Sequence, residues 1–222
     1  MANVEKFEAF PTCIYRFKHE FEKNERQNII DLIITESIVE KNNKKVQRLG
    51  SQLDDHLHEN PLFKKISDTI LESSHDLMEE HGYEYDSLEI TNMWGNILKP
   101  NSLKSSHQPH THSNNFLSGT FYIKASSNTS SIIFFDPRPQ SSILKPRKKE
   151  FNRLNSDQMS FDSQIGYGVI FPSWLQHWVP QTKEERISIA WNIIVRGDYG
   201  EAGDLQNAHI LTQRGLSTDR SR

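Results

Sequence analysis

GYGVIFPSWLQHWVPQTKEERISIAWNII, residues 166–194, is the stretch whose reading decides the fold. It contains the run Tyr167 to Phe171 of β-branched and aromatic residues and nearly all of a second, Arg186 to Val195, which ends one residue beyond it. Such runs, bounded by glycine and proline, read as strands. A loop between them delivers His177. On the second strand Arg186, Ser188, Ala190 and Asn192 share one face, because side chains alternate along extended backbone. A lone arginine on an inward strand face is a costly buried charge without a partner. A dicarboxylate would supply that partner, since guanidinium matches carboxylate in a bidentate pair. Ser188, two residues on, can add a hydroxyl to the same carboxylate.

Upstream lies a second cluster, KSSHQPHTHSNNFLSGTFYI, residues 104–123. His107, His110 and His112 precede a strong strand, Asn115 to Lys124. His110 and His112 have the i, i+2 spacing that puts two imidazoles on one side of extended backbone. Two such rings at a strand's mouth can grip one metal ion. Further strands are expected at Leu88 to Leu98 and Ser131 to Phe135, and a short one at Pro11 to Phe17.

Before this β region the period differs. In EKNERQNIIDLIITESIVEK, residues Ile29, Ile30, Ile33, Ile34 and Ile38 trace one face of an amphipathic helix. Residues 42–58 are polar and read as loop. A second helix starts at Asn60-Pro61, an N-cap followed by proline, and shows Leu62, Ile66, Ile70, Leu77 and Met78 on one face. Gly82 is its expected C-terminal cap. Helices followed by a run of strands argue for an α+β fold, with helices packed on one side of an antiparallel β-sandwich. One domain over 1–196 is expected, helical over about 20–82 and β over about 83–196. The polar stretch 197–222 reads as a tail, mobile or an oligomer contact such as a homodimer's.

Composition narrows the partners. The chain has 222 residues, a formal net charge of -3, ten histidines and one cysteine, Cys13. The charge gives no reason to expect nucleic acid, and one cysteine excludes a disulfide framework or a cysteine zinc site. No apolar stretch approaches the length that spans a bilayer, and MANVEKFEAF lacks a signal-peptide core. The reading is a soluble cytoplasmic protein, in a host's cytoplasm if phage-encoded.

HTHSNNFLSGTFYI, IIFFDPR and the run from GYGVIFPSWLQHWVP to RISIAWN together resemble the Fe(II)/2-oxoglutarate oxygenase superfamily, and more narrowly a family found in bacteria and phages. The resemblance covers roughly residues 90–196. It implies a double-stranded β-helix (jelly-roll) core, Fe(II) as metal and 2-oxoglutarate as cosubstrate. It also implies dioxygen as co-reactant and a small-molecule or peptidyl substrate, with C–H oxidation coupled to decarboxylation of 2-oxoglutarate to succinate. Carried over by position, His110, His112 and His177 would hold the metal, and Arg186 and Ser188 the 5-carboxylate. Tyr122 would either hydrogen-bond the 1-carboxylate end or pack, and Asn192 belongs to the same pocket face. The superfamily usually has Asp or Glu at the second ligand position, where this chain has His112. Three readings of that position stay open. His112 is the third ligand; or it stands behind the metal with water in its place; or Asp136 or His107 supplies the ligand.

Two rivals remain. A three-histidine cupin-like metal enzyme fits the ligands but does not need Arg186 and Ser188. A jelly-roll binding module without redox activity draws support only from position 112. Plainer readings stand beside the sharp ones. His56 and His58, with Asp54 and Asp55, read as surface. Trp94, Asn96, Trp174 and Trp178 either pack or line a pocket, and Asp136-Pro137-Arg138 is either a turn with an ion pair or a substrate contact. Cys13 reads as a small core residue. The stretch 136–163 reads as a lid or specificity loop, and Lys145 to Lys149 within it as a solvated basic patch.

Overall fold

The computed structural model describes residues 4–41, 44–47, 55–102, 104–203 and 205–211. Asp54, residues 42, 43 and 48–53 of the polar stretch, and the end of the tail from 212 lie outside them. Among the described residues two α-helices and twelve strands form in chain order: β1 (Tyr15–Lys18), α1 (Glu25–Glu36), β2 (Ile38–Lys41), β3 (Lys44–Gln47), α2 (Lys64–Glu80), β4 (Ser87–Leu98), β5 (His107–His110), β6 (Leu117–Lys124), β7 (Ile132–Phe135), β8 (Gln158–Phe161), β9 (Tyr167–Pro172), β10 (His177–Val179), β11 (Arg186–Tyr199) and β12 (Ala208–Ile210). The architecture is mostly β. The major sheet runs β1-β9-β6-β11, with β4 and β12 also paired to β11. The minor sheet runs β5-β10-β7-β8. The two meet through an apolar layer that includes Leu98, Ile132, Phe134, Val169, Phe171 and Val179.

The alternation expected on Arg186 to Val195 organises the major sheet. Ile187, Ile189, Trp191 and Ile193 are fully buried in one cluster with Ile29 and Ile33 of α1 and Ile66, Ile70, Leu77 and Met78 of α2. Both helices therefore cover one face of this sheet, as the sequence predicts. Arg186, Ser188 and Ala190 point the other way, into a pocket between the sheets. Two glycines let the layers close. At Gly95 a Cβ would stand 2.7 Å from Ile33 Cγ2, so its absence admits α1 to the sheet. At Gly119 it would stand 2.2 Å from Trp191 Cζ2 and 2.6 Å from the Val169 carbonyl.

The Asn60-Pro61 signal opens not α2 itself but a 3₁₀ turn, Pro61–Phe63, which leads directly into α2 at Lys64. The Asn60 side chain accepts from Leu62 N at 3.0 Å. At the far end Gly82 takes φ 69°, and Tyr83 N donates to Met78 O at 3.1 Å. That left-handed residue and its back-bond are the ordinary glycine C-cap.

The structure departs from the sequence reading in several places. α1 stops at Glu36, and Ile38 belongs not to the helix face but to β2, paired with β3. The Ser37 hydroxyl donates to Ile34 O at 2.6 Å, a local bond that competes with helix continuation. β-branched Ile38 and Val39 then favour extended backbone. The polar stretch 42–58 is accordingly not all loop: it holds β3 and a 3₁₀ turn, Leu57–Glu59. His177 comes not from a loop but from β10, paired on both sides. The 136–163 stretch contains β8, which forms the minor sheet's edge. Gly197 lies within β11, and 208–210 returns as β12, so the segment read as a polar tail continues the sheet pairing where it is described. Cys13 is only half-buried. Among the described residues no helix is long and apolar enough to cross a membrane.

Gly119→Ala should cost roughly 1–3 kcal/mol of stability, the usual range for overpacking a filled core, because one obstructing atom is backbone. Urea unfolding of the variant measures it, and an unchanged midpoint would contradict the packing.

Candidate metal centre

The pocket, about 240 Å³, is built from both sheets. Cross-strand register supplies one wall: Ala190 pairs with Trp94 and Thr120, and Ser188 with Asn96 and Tyr122. All but Tyr122 line the pocket. The opposite wall carries His107, His110, His177 and Val179 of the β5–β10 pair. Both tryptophan and asparagine of β4, read either way from sequence, thus face the pocket. Trp174 is 58% exposed and lies outside its lining.

His110, His112 and His177 converge, each offering one ring nitrogen, with those atoms all within 4.8 Å of one another. Register explains two of them: His177 of β10 pairs directly with His110 of β5. His112 is brought in by its backbone N–H, which donates to Ser173 O at 2.9 Å. Its ring stacks on Trp94 at 5.9 Å between centroids. His110 Nδ1 lies 2.7 Å from Gln108 O, and His177 Nδ1 lies 2.9 Å from Leu175 O. A carbonyl only accepts, so both Nδ1 atoms carry the proton and both Nε2 lone pairs are free to bind a metal. Orienting a ligand imidazole through its other nitrogen is the usual support of a metal site.

Electrostatics favour the same state. Burial, with the repulsion of neighbouring imidazoles, drives the His177 pKa down to about 3 against the raising effect of Leu175 O. Burial and then His110 drive His112 down to about 4, opposed by Asn192. Neutral imidazole is the ligating form.

At the pocket's other end stands Arg186, 2% exposed. Its guanidinium lies over the Tyr122 ring at 4.8 Å. Arg186 Nε, Ser188 Oγ and the Tyr122 hydroxyl are all buried without a hydrogen-bond partner. Native proteins rarely leave such groups unsatisfied. Two of these orphans, Arg186 Nε and Ser188 Oγ, belong to pocket-lining residues, with Tyr122 packed against Arg186, and together they fit an anion with several lone pairs. Asn192 is instead engaged: its Oδ1 accepts from Ser118 Oγ at 2.8 Å, and it sits beside His112.

The alternative third ligands fall apart. Asp136 is taken up by Arg138, whose Nε and Nη2 donate to its two oxygens at 3.0 and 2.8 Å. That ion pair holds the Asp136 carboxyl down at about 2. Asp136-Pro137-Arg138 is therefore the turn with an ion pair. His107 lines the pocket but is not one of the converging three. Within the basic stretch Lys145 and Lys148 pair with Asp157, as a solvated patch would.

Residues 92–192 match the model of a family described as "Putative 2OG-Fe(II) oxygenase". This part of the chain is similar to the 2OG-Fe(II) oxygenases. The match spans β4 to β11 and so contains every residue of the pocket. Enzymes of this class use Fe(II) and 2-oxoglutarate, and the three-histidine cluster and the orphaned donors suit those two groups. No curated protein matches the chain. Among solved structures it is similar to the non-heme alpha-ketoglutarate-dependent epimerase SnoN from nogalamycin biosynthesis, with TM-score 0.58 and 11% identity over 87% of this chain and 83% of that one. It is also similar to a Pseudomonas putida prolyl-4-hydroxylase, with TM-score 0.52 and 9% identity over 84% and 89%. A Burkholderia pseudomallei oxidoreductase of the 2OG-Fe(II) oxygenase family gives 0.50 and 12% over 82% and 84%. Likeness at such identity shows a shared fold.

The depressed histidines set an acid limit. Their folded pKa values lie below the unfolded value near 6.5, so the unfolded chain binds protons first and stability falls as pH drops from about 6.5 toward 4. Metal-free protein should therefore show a declining urea midpoint across that window. The decline should shrink when His112 and His177 are both replaced by Gln, and an equal slope in that variant would count against the assigned burial.

Proposed function

We propose that the chain is an Fe(II)- and 2-oxoglutarate-dependent dioxygenase with a double-stranded β-helix core over about 83–196. In this reading it acts in the cytoplasm as a hydroxylase of a small-molecule or peptidyl substrate. The observation that carries the reading is the buried Arg186, facing the three-histidine cluster across one pocket with its Nε orphaned. A cupin-like three-histidine enzyme or a binding module would leave that arginine unexplained.

In this reading His110, His112 and His177 hold Fe(II) through three imidazole nitrogens, which ligate iron well. Arg186 and Ser188 bind the 5-carboxylate of 2-oxoglutarate. Tyr122 joins them in this reading: its ring against Arg186 favours a role at this carboxylate over one at the 1-carboxylate end. Asn192 steadies His112 and is itself held by Ser118. When bound, iron and 2-oxoglutarate supply activation of dioxygen for C–H oxidation, with 2-oxoglutarate leaving as succinate and carbon dioxide. The protein's share is orientation of the cosubstrate and exclusion of water by Phe171, Ile132 and Val179. Three neutral ligands leave the metal's charge to the cosubstrate dianion, so iron should bind weakly alone and tightly with 2-oxoglutarate.

Anaerobic titration with Fe(II) and 2-oxoglutarate should give a visible metal-to-ligand charge-transfer band that requires both. Arg186→Ala should lose the band at cosubstrate concentrations that saturate the parent, while retaining Fe(II). His177→Ala should lose Fe(II) itself. A band that survives in Arg186→Ala would remove the cosubstrate role.

His112→Asp should keep or raise Fe(II) affinity without cosubstrate, because it returns a negative charge to the metal. His112→Ala with undiminished Fe(II) affinity would instead place His112 behind the metal.

A further inference from the structure

His107 is the one histidine of the pocket that the metal reading does not use. It sits on β5 opposite Val179 of β10, one step along the strand pair from the His110–His177 pairing. Its ring centroid is 6.4 Å from that of His110, whereas His110 and His177 approach to 4.4 Å. It is therefore displaced from the converging nitrogens while remaining in the pocket lining. Its Nε2 is buried and has no hydrogen-bond partner. Burial lowers its pKa to about 4, and the next largest cause is the charge of Arg186, ahead of His110 and His112. The ring shares the pocket lining with Arg186.

A neutral imidazole here can donate one hydrogen bond without adding charge. Among the pocket-lining residues Arg186 Nε and Ser188 Oγ are the other buried orphans, and Tyr122 Oη, on the ring packed against Arg186, is a third. A carboxylate offers about four acceptor sites, enough to take up all four donors. Leaving a ring nitrogen buried and unsatisfied is costly, a penalty that a bound carboxylate would remove.

We infer that His107 is a further cosubstrate-binding residue, donating from Nε2 to the 5-carboxylate held by Arg186 and so selecting a 2-oxo dicarboxylate over a 2-oxo monocarboxylate. The inference rests on the cosubstrate reading above and adds a fourth donor to it. His107 also stands apart from the metal: it holds the cosubstrate's distal end only.

The test is anaerobic calorimetry of Fe(II) alone, then of 2-oxoglutarate and of 2-oxovalerate against the Fe(II)-loaded protein. 2-Oxovalerate has the same chain length but lacks the distal carboxylate. His107→Phe should weaken 2-oxoglutarate roughly ten- to hundredfold, the size of a hydrogen bond to a charged group. It should leave 2-oxovalerate and Fe(II) affinities unchanged. His107→Asn, which can still donate, should recover part of the loss, and its circular dichroism and melting temperature check that the fold persists. Equal weakening of both 2-oxo acids would overturn the inference, since it would mean lost packing. Loss of Fe(II) binding would overturn it by making His107 a metal ligand, and unchanged 2-oxoglutarate affinity would overturn it outright. If the parent protein itself binds no 2-oxoglutarate, the underlying cosubstrate reading fails, and this inference with it.

Discussion

The rest of the structure depends on the two-residue alternation of β11. One strand serves two environments that must not mix. Ile187, Ile189, Trp191 and Ile193 lie in the apolar layer under the helices, and Arg186, Ser188 and Ala190 face the pocket. A slip of one residue would drive a guanidinium into a dry isoleucine core and place isoleucines where polar donors are needed. The register is pinned from both sides by long pairings with β4 and β6. Packing on the outer face therefore fixes the chemistry on the inner one. Gly95 and Gly119 belong to this constraint, because they let the helix and the indole approach closely enough to lock it.

The two ends of the pocket are complementary in charge logic. One end presents imidazoles held neutral by burial. The other presents a buried permanent cation whose Nε has no hydrogen-bond partner among the described residues. A buried arginine so placed is tolerable only if an anion shares its desolvated surroundings for much of the protein's life. A divalent metal among neutral ligands has the same requirement. On the proposed reading one dianion answers both. It also explains why the carboxylate usual at the second ligand position can be dispensed with: the charge it would supply arrives with the cosubstrate.

Much of this was legible in the sequence, for physical reasons that differ by element. The strands from β4 onward carry β-branched and aromatic runs. Asn60-Pro61 opens the 3₁₀ turn that leads into α2, and Gly82 follows its end. Elsewhere local pattern misleads. Ile38 continues the isoleucine spacing of α1, yet Ser37 ends the helix and the next residues pair with a charged strand, Lys44–Gln47, that has no apolar alternation. β5 contains Pro109, which sequence reading places outside a strand. It is tolerated because β5 is the edge of the minor sheet. β8 and β12 are only four and three residues long, and pairing partners define them. At the site, i, i+2 spacing found His110 and His112, and the inward face of β11 found Arg186. The tautomers were not legible, because they depend on the carbonyls of Gln108 and Leu175. Nor was the place of Tyr122 beside Arg186, which follows from cross-strand register.

Those two carbonyls carry a further consequence. Each lies two residues before the histidine it orients, so ring orientation is set by the local backbone and not by a distant acidic side chain. A neutral amide carbonyl raises imidazole basicity less than a carboxylate would. The proposed ligands are thus neutral themselves and are supported by neutral groups, and among the converging residues no carboxylate appears. An ion held this way keeps more of its own positive charge. That strengthens its pull on an anionic chelator and weakens its hold before the chelator comes. Metal and cosubstrate would then bind as one coupled event, each raising the affinity of the other by the same factor. The coupling follows from where the charges are missing as much as from where they are found.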